Sequence, residues 1–85
     1  MAWFLYMVRC SDGSLYTGIT TDISRRIQEH NNKKGATYTR GRVPVGLIYQ
    51  EKALNRSKAL KREAQIKRLT RDEKLALVDN SREIL

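Results

Sequence analysis

The feature that most constrains the fold is a pair of short apolar segments separated by a turn signal. Residues 2–10, AWFLYMVRC, are almost wholly apolar, aromatic or β-branched, and residues 15–19, LYTGI, have the same character. Between them lies Ser11-Asp12-Gly13, a combination typical of tight turns. Apolar segments on both sides of such a turn predict a β-hairpin.

The length of the hairpin loop decides whether Tyr6 and Tyr16 share a face of the sheet. A loop of two residues pairs Arg9 with Tyr16 and places the two tyrosines on opposite faces, because side chains alternate along a strand. A loop of three residues, with Gly13 in the left-handed conformation, pairs Val8 with Tyr16 and places both hydroxyls on one face. The turn residues by themselves are compatible with both registers.

The remaining segments predict an α+β fold in one domain spanning residues 1–85. Thr21 or Asp22 can cap the first helix, Asn55 or Ser57 precedes the second, and Thr-x-x-Glu at 70–73 has the spacing of a capping box. In chain order we expect a helix over 22–31, a loop over 33–44 with one helical turn at 36–39, a strand over 45–50, a helix over 56–69, and a helix over 70–79 followed by a frayed tail beyond residue 80. A small antiparallel sheet of three strands covered by helices accommodates this order.

Charge and cysteine content narrow the function classes. Seventeen lysines and arginines against nine acids give a net charge of +8, which favours a polyanionic partner such as nucleic acid. The single cysteine, Cys10, excludes an intrachain disulfide and a cysteine-based metal site. No stretch approaches the length of a membrane span, and Met1 to Val8 is too short for a signal peptide, so we expect a cytoplasmic protein.

Glu63 is the most informative carboxylate. Helical spacing places it between Leu60 on one side and Ala59 and Ile66 on the other, on the face expected to be buried. A carboxylate there needs a partner, because burying an isolated charge is costly. The partner is either Lys67, one turn further along, or a divalent cation, and helical geometry alone favours the salt bridge.

Four other side chains have ordinary structural explanations when each is taken singly. Tyr6 and Tyr16 suit a half-buried sheet, Arg26 can lie along an apolar helix stripe, and His30 can be a cation at a helix end. Tyr38 lies in the loop over 33–44, which carries four basic residues and which we call the basic loop. Its ring can stack on a base or anchor the loop. Taken together with Glu63, these side chains indicate phosphodiester hydrolysis. That reaction needs a guanidinium on the phosphate, a carboxylate for a metal ion, and a group that orients or deprotonates water.

The same residues resemble a known family. Residues 4–6, FLY, and 16–18, YTG, stand where the GIY-YIG endonuclease family has its two name-giving motifs. Arg26 falls at the family's helix arginine, Glu63 at its metal-binding glutamate, and His30 at a histidine found in some relatives. The resemblance extends to about residue 78 and is closest to the small stand-alone bacterial members, in the segments CSDGSLYTGITTDISRRIQEHN, KGATYTRGRVPV and ALKREAQIKRLTRDEK. Phe4, Thr17 and Ile19 depart from the family pattern, and many relatives carry a lysine where Ile19 stands.

The resemblance implies the family's fold and a metal-dependent cleavage of DNA. It implies that Tyr6 and Tyr16 face one site, that one of them positions or activates water, and that Arg26 and His30 assist. Glu63 is expected to bind one Mg²⁺ or Mn²⁺ ion. Gly13 and Gly18 are expected at structural turns.

The predicted function is an endonuclease of low sequence specificity, structure-specific or connected with DNA repair, with a possible partner protein supplying specificity. The side chains expected to hold the nucleic acid are those of the basic loop, namely Lys33, Lys34, Tyr38, Arg40 and Arg42. The alternatives are a nucleic-acid-binding module without turnover and a small interaction protein of a repair complex. The sequence leaves the choice between DNA and RNA and the oligomeric state open.

Overall fold

A computed structural model of the protein describes residues 2–83. It contains three strands and four helices in an α+β arrangement, as the sequence predicts. In chain order these are β1 (Trp3–Arg9), β2 (Leu15–Thr20), α1 (Ile23–Asn31), α2 (Thr37–Arg40), β3 (Gly46–Ala53), α3 (Arg56–Lys67) and α4 (Arg71–Glu83). Within the described residues no helix is both long and apolar enough to cross a lipid bilayer.

The sheet is antiparallel with strand order β2-β1-β3, so β1 is the central strand. The hairpin between β1 and β2 has the three-residue loop: Gly13 is left-handed (φ 85°), and the Cys10 amide donates to the Ser14 carbonyl at 2.8 Å. Val8 is therefore paired with Tyr16. Because side chains alternate along a strand, this register places Tyr6 and Tyr16 on the same face of the sheet. The three-residue loop is therefore the correct one of the two alternatives.

Both faces of β1 are buried, which explains the continuous apolar character of its sequence. On one face Leu5 and Met7 pack against Ile66 of α3 and Val78 of α4. The opposite face carries the second core cluster, formed by Tyr6, Val8, Cys10 and Val45 with Tyr16, Ile23 and Ile27 packed against it. The two isoleucines belong to α1, so this helix covers the face that carries the tyrosines.

The helix caps follow the sequence signals closely. Asp22 caps α1 by accepting a hydrogen bond from the Arg25 amide at 3.0 Å. Asn55 caps α3 through the Lys58 amide at 2.9 Å. The capping box of α4 is also formed, because Thr70 and Glu73 bond to each other's backbone amides at 3.2 and 2.9 Å.

The ends of three elements differ from the prediction. Strand β3 continues to Ala53, because β1 begins at Trp3 and supplies a pairing partner there. Helix α3 ends at Lys67 rather than residue 69, and α4 continues to Glu83, so residues 81–83, expected to fray, are helical. Nothing in that stretch is a glycine or a proline that would stop the helix. The rest of the predicted tail lies outside the described residues. Leu60, expected on the buried face of α3, is 38% exposed.

Gly18 was predicted at a turn, but it lies inside β2, directly opposite Tyr6 of β1. The Tyr6 ring lies across this glycine so closely that a β-carbon at position 18 would stand 2.6 Å from the Tyr6 hydroxyl oxygen. The missing side chain is therefore what gives the tyrosine its place on the sheet.

We expect Gly18→Ala to lower the free energy of unfolding by about 1–3 kcal/mol, because the added methyl group must displace a fully packed ring. Gly46→Ala is the matched control, since a β-carbon there would meet nothing within 4 Å. The control should change stability by less than about 0.5 kcal/mol. Urea unfolding followed by circular dichroism measures both, and equal effects of the two substitutions would contradict the close packing of Tyr6 on Gly18.

Candidate active site

Three aromatic side chains meet on the α1 side of the sheet. The ring centroids of Tyr6 and Tyr16 lie 6.5 Å apart, and the His30 ring lies 5.8 Å from the first and 5.4 Å from the second. Tyr6 and His30 are almost completely buried, whereas Tyr16 is half-buried. The cluster therefore has a closed interior and a side that reaches the surface at Tyr16.

The polar edge of α1 supplies two hydrogen bonds to the Tyr6 hydroxyl. His30 Nε2 lies 2.8 Å from the hydroxyl oxygen, and Arg26 Nε donates to that oxygen in a longer bond of 3.4 Å. Arg26 and His30 are one helical turn apart and flank the isoleucine stripe that packs on the sheet, so both reach the same hydroxyl. The edge of α1 that carries Arg26 and His30 therefore borders the sheet.

Burial controls the protonation of Tyr6 and His30. It raises the pKa of Tyr6 to about 12, against the opposing hydrogen bond and charge of Arg26, and the Glu63 carboxylate adds to the rise. Burial also lowers the pKa of His30, helped by the positive charge of Arg26 and opposed by Glu29. At neutral pH the pair is therefore an un-ionised phenol and a neutral imidazole. His30 does lie in the last turn of α1, but its burial and lowered pKa disfavour the helix-end cation that is one alternative for this residue.

Glu63 reaches this region from α3. Its side chain is 20% exposed and its Oε2 lies 3.7 Å from the Lys67 ammonium, the salt bridge expected from helical spacing. The ammonium also lies 5.9 Å from the centre of the Tyr16 ring. Through Lys67 the carboxylate lies near Tyr16, and its charge makes a small contribution to the raised pKa of Tyr6.

The donor set at Glu63 suits a hard divalent cation. Among the residues that the structure describes, no group of three or more His, Cys, Asp or Glu side chains is arranged to hold a metal ion. Mg²⁺ is commonly held by one or two carboxylates and substrate phosphates while it keeps several waters. A single partly exposed carboxylate, such as that of Glu63, fits this pattern.

The basic loop lies beside the cluster. Tyr38 is 41% exposed and stacks on Tyr16, with ring centroids 5.8 Å apart and an interplanar angle of 26°. The Arg42 guanidinium lies 4.1 Å from the centre of the Tyr38 ring and pairs with Asp12 at 3.0 Å. Three further cations predicted to contact nucleic acid are exposed, namely Lys33, Lys34 and Arg40. Tyr38 and Arg42 are thus held against the hairpin, and these three side chains extend into solvent.

Two residues of this site escaped the sequence analysis. Thr39 is fully buried, and its hydroxyl lies 2.7 Å from His30 Nδ1. Gly35 leaves room for the same imidazole, because a β-carbon there would overlap the His30 ring. A threonine and a glycine in a polar loop carry no signal of their own, since their roles depend on where His30 lies in space.

The lowered pKa of His30 can be measured directly, because the chain has one histidine. The groups that face its imidazole are Arg26, Glu29, Tyr6 and Tyr16. The unfolded chain takes up a proton first as the pH falls, so the stability associated with the neutral imidazole is present above pH 6.5 and is lost as the pH falls through the folded-state pKa. We expect an NMR titration of the imidazole to show a midpoint below 6.5 in the folded protein and near 6.5 in urea. A folded-state midpoint at or above the urea value would contradict the burial of a neutral ring.

Comparison with known proteins agrees with this geometry. The sequence pattern described as the GIY-YIG catalytic domain matches residues 2–76. A UPF0213 protein of Desulfotalea psychrophila is 58% identical over 81 residues, which cover 94% of this chain and 74% of the relative. A UPF0213 protein of Staphylococcus epidermidis is 53% identical over 75 residues, which cover 88% of this chain and 92% of the relative.

Two solved structures of similar sequence have the same fold. The solution NMR structure of a UPF0213 protein from Bacillus halodurans is 43% identical and superimposes with a TM-score of 0.60, covering 93% of this chain and 84% of the other. An E. faecalis protein, also solved by NMR, is 42% identical with a TM-score of 0.61, covering 91% of this chain and 83% of the other. With the sheet, the hairpin tyrosines and the helix arginine arranged as described, the chain belongs to the GIY-YIG family of nucleases and is similar to its small UPF0213 members.

Proposed function

We propose that this protein is a divalent-metal-dependent endonuclease that hydrolyses DNA phosphodiester bonds with low sequence specificity. The observation that carries the proposal is the cluster of Tyr6, Tyr16 and His30 in a protein of net charge +8. Arg26 bonds to the Tyr6 hydroxyl, and the Glu63–Lys67 pair lies near Tyr16. Membership of the GIY-YIG family supports the proposal.

Arg26 is the proposed phosphate ligand. Its Nη1 bonds to Glu29 at 3.2 Å and its Nε to Tyr6, which together fix the guanidinium plane, while 28% of its side chain remains exposed. A guanidinium has further N–H donors that can bond to phosphate oxygens. These donors stabilise the negative charge that develops on the phosphate during attack.

Tyr6 is the proposed residue that accepts the proton of the attacking water. A phenol with a pKa near 12 has almost no basic form at neutral pH, so it needs its own proton to leave as the new one arrives. His30 Nε2, at 2.8 Å, can take that proton. As the water oxygen bonds to phosphorus and an ester P–O bond breaks, the water proton passes to the Tyr6 oxygen and the phenol proton passes to the imidazole. The leaving ester oxygen takes a proton from bulk water. We propose that the half-buried Tyr16 orients the attacking water.

Glu63 is the proposed ligand of the Mg²⁺ or Mn²⁺ ion. Such an ion, when bound, supplies positive charge to the phosphate and lowers the pKa of coordinated water. The Lys67 ammonium now pairs with this carboxylate and lies near Tyr16. We propose that it supplies the cationic charge that many relatives provide from the position of Ile19.

The proposed substrate is DNA, held through its backbone by the exposed cations of the basic loop, Lys33, Lys34 and Arg40. Contacts to phosphates position a protein on nucleic acid without reading its sequence. We therefore propose low sequence specificity. In DNA repair, such a nuclease would cut particular DNA structures or be directed to its target by a partner protein. The proposed setting is the cytoplasm.

One observation favours a second function. The carboxylate that the metal ion requires is already paired with Lys67. If that pair persists in the presence of metal, the protein is a nucleic-acid-binding module without turnover. Its binding would weaken steeply with salt, because phosphate contacts release counterions whether or not cleavage follows.

Cleavage of branched, nicked and single-stranded DNA in Mg²⁺ or Mn²⁺ tests the proposal. We expect Arg26→Ala, Glu63→Gln and Tyr6→Phe each to lower the cleavage rate by about 100-fold or more, because each removes a group that acts in the transition state. The controls are Arg25→Ala, the exposed neighbour of Arg26 on α1, and Asp72→Asn, an exposed carboxylate on α4.

Both control variants should cut at the wild-type rate. Circular dichroism and melting curves establish that each variant is folded. Wild-type rates for Arg26→Ala and Glu63→Gln would contradict the proposed site. Salt-sensitive DNA binding without any metal-dependent cutting by the wild type would favour the binding module.

A further inference from the structure

We infer that Thr39 is a positioning residue that fixes the tautomer of His30, leaving Nε2 without a proton and facing the Tyr6 hydroxyl. The consequence for cleavage rests on the proposed function. The tautomer itself is a property of the free protein and can be measured without DNA or metal.

The direction of the hydrogen bonds at Thr39 carries the inference. The Thr39 hydroxyl has one proton, and it donates to the Ala36 carbonyl oxygen at 2.9 Å. A carbonyl oxygen can only accept, so this proton is committed. The contact of 2.7 Å between the hydroxyl oxygen and His30 Nδ1 must then be donated by the ring. Nδ1 therefore carries a proton.

The other ring nitrogen follows from this assignment. A neutral imidazole has one N–H, so Nε2 is an acceptor when Nδ1 is protonated. The Tyr6 hydroxyl lies 2.8 Å from Nε2 and receives the long bond from Arg26 Nε, so its own proton is available for the ring. The donors then all run in one direction, from Arg26 through Tyr6 and His30 to Thr39 and Ala36.

The opposite tautomer fits this environment poorly. With the proton on Nε2, an N–H would face the Tyr6 hydroxyl, and two lone pairs would face each other between Nδ1 and the Thr39 oxygen. Thr39 could donate to Nδ1 only by giving up its bond to Ala36. His30 and Thr39 are both 0% exposed, so bulk water is not in contact with them to compensate for the loss.

The loop is built to keep Thr39 in this place. Both the hydroxyl and the backbone amide of Thr39 bond to the same Ala36 carbonyl, the amide at 3.1 Å. Gly35 brings the loop backbone against the His30 ring, where a side chain would overlap it. The loop that contains α2 therefore closes over His30 from the side opposite Tyr6.

The consequence for the proposed reaction is a proton path with a defined acceptor. When the water proton moves to the Tyr6 oxygen, the phenol proton moves to Nε2 and the ring becomes an imidazolium with protons on both nitrogens. Its Nδ1–H remains bonded to Thr39, so no new contact is needed. With Nε2 already protonated, the phenol proton would have no place to go.

The experiment is ¹⁵N NMR of the protein labelled in its single histidine, recorded above the folded-state pKa without DNA or metal. In the wild type and in Thr39→Ser, we expect Nδ1 to have the shift of a protonated nitrogen and Nε2 that of a bare one. In Thr39→Val, which keeps the shape and removes the hydroxyl, we expect the proton to occupy Nε2 in a large part of the population.

Two results would overturn the inference: a wild type protonated at Nε2, or a folded Thr39→Val with the wild-type pattern. The wild-type and Thr39→Ser spectra keep the test decisive if Thr39→Val does not fold. In cleavage assays we expect Thr39→Val to lower kcat by about 100-fold at little change in KM, and Thr39→Ser to recover most of the rate. The expected spectra without any cleavage would count against the proposed function and leave the tautomer assignment in place.

Discussion

The buried hydroxyl of Tyr6 is the group on which the rest of the structure depends. Tyr6 is 1% exposed on the central strand, and a polar group removed from water must find partners within the protein. Its partners are His30 and Arg26 on α1, and the imidazole in turn bonds to Thr39 of α2. One hydroxyl thus joins the sheet, the first helix and the following loop, and it does so at the place where the chemistry is proposed.

The same burial gives the site its electrostatic character. The interior pair is neutral, because removal from water raises the pKa of the phenol and lowers that of the imidazole. The charged groups lie around it, with Arg26 partly exposed at one side and Glu63 paired with Lys67 at another. In the proposed reaction a substrate phosphate approaches Arg26 from solvent, and the final proton acceptor, His30, is enclosed. The Tyr6 hydroxyl, which bonds to both, connects the phosphate ligand to that acceptor.

Features set by neighbouring residues were predictable from the sequence. The hairpin, the caps at Asp22 and Asn55 and the capping box at Thr70 depend on side chains a few positions apart, and all are present. The sharing of one face by the tyrosines followed only after the loop length was known, because a change of one residue in register reverses the face. The resemblance to the family pointed to that register, and the structure confirms it.

Contacts between residues that are far apart in the sequence were not predictable. Glycine is typical of turns, so Gly18 was predicted at one. Its contact with the Tyr6 ring exists only because β1 and β2 pair in this register. Thr39 lies nine positions from His30, and nothing in a polar loop indicates that its hydroxyl will be buried against the ring. Lys67 was predicted as a partner of Glu63, but its approach to Tyr16 depends on how α3 crosses the sheet.

Glu63, Arg26 and the hairpin phenols serve one reaction centre only if metal and phosphate bind between them. The most direct measurement is a crystal structure of the protein with Mn²⁺ and a short DNA, with the metal located by anomalous scattering. The expected result is a metal ion at a coordination distance of about 2.0–2.3 Å from a Glu63 oxygen, Lys67 displaced from that oxygen, and a phosphate bonded to Arg26. Metal bound elsewhere, with Glu63 still paired to Lys67 and the DNA away from Arg26, would contradict a shared centre.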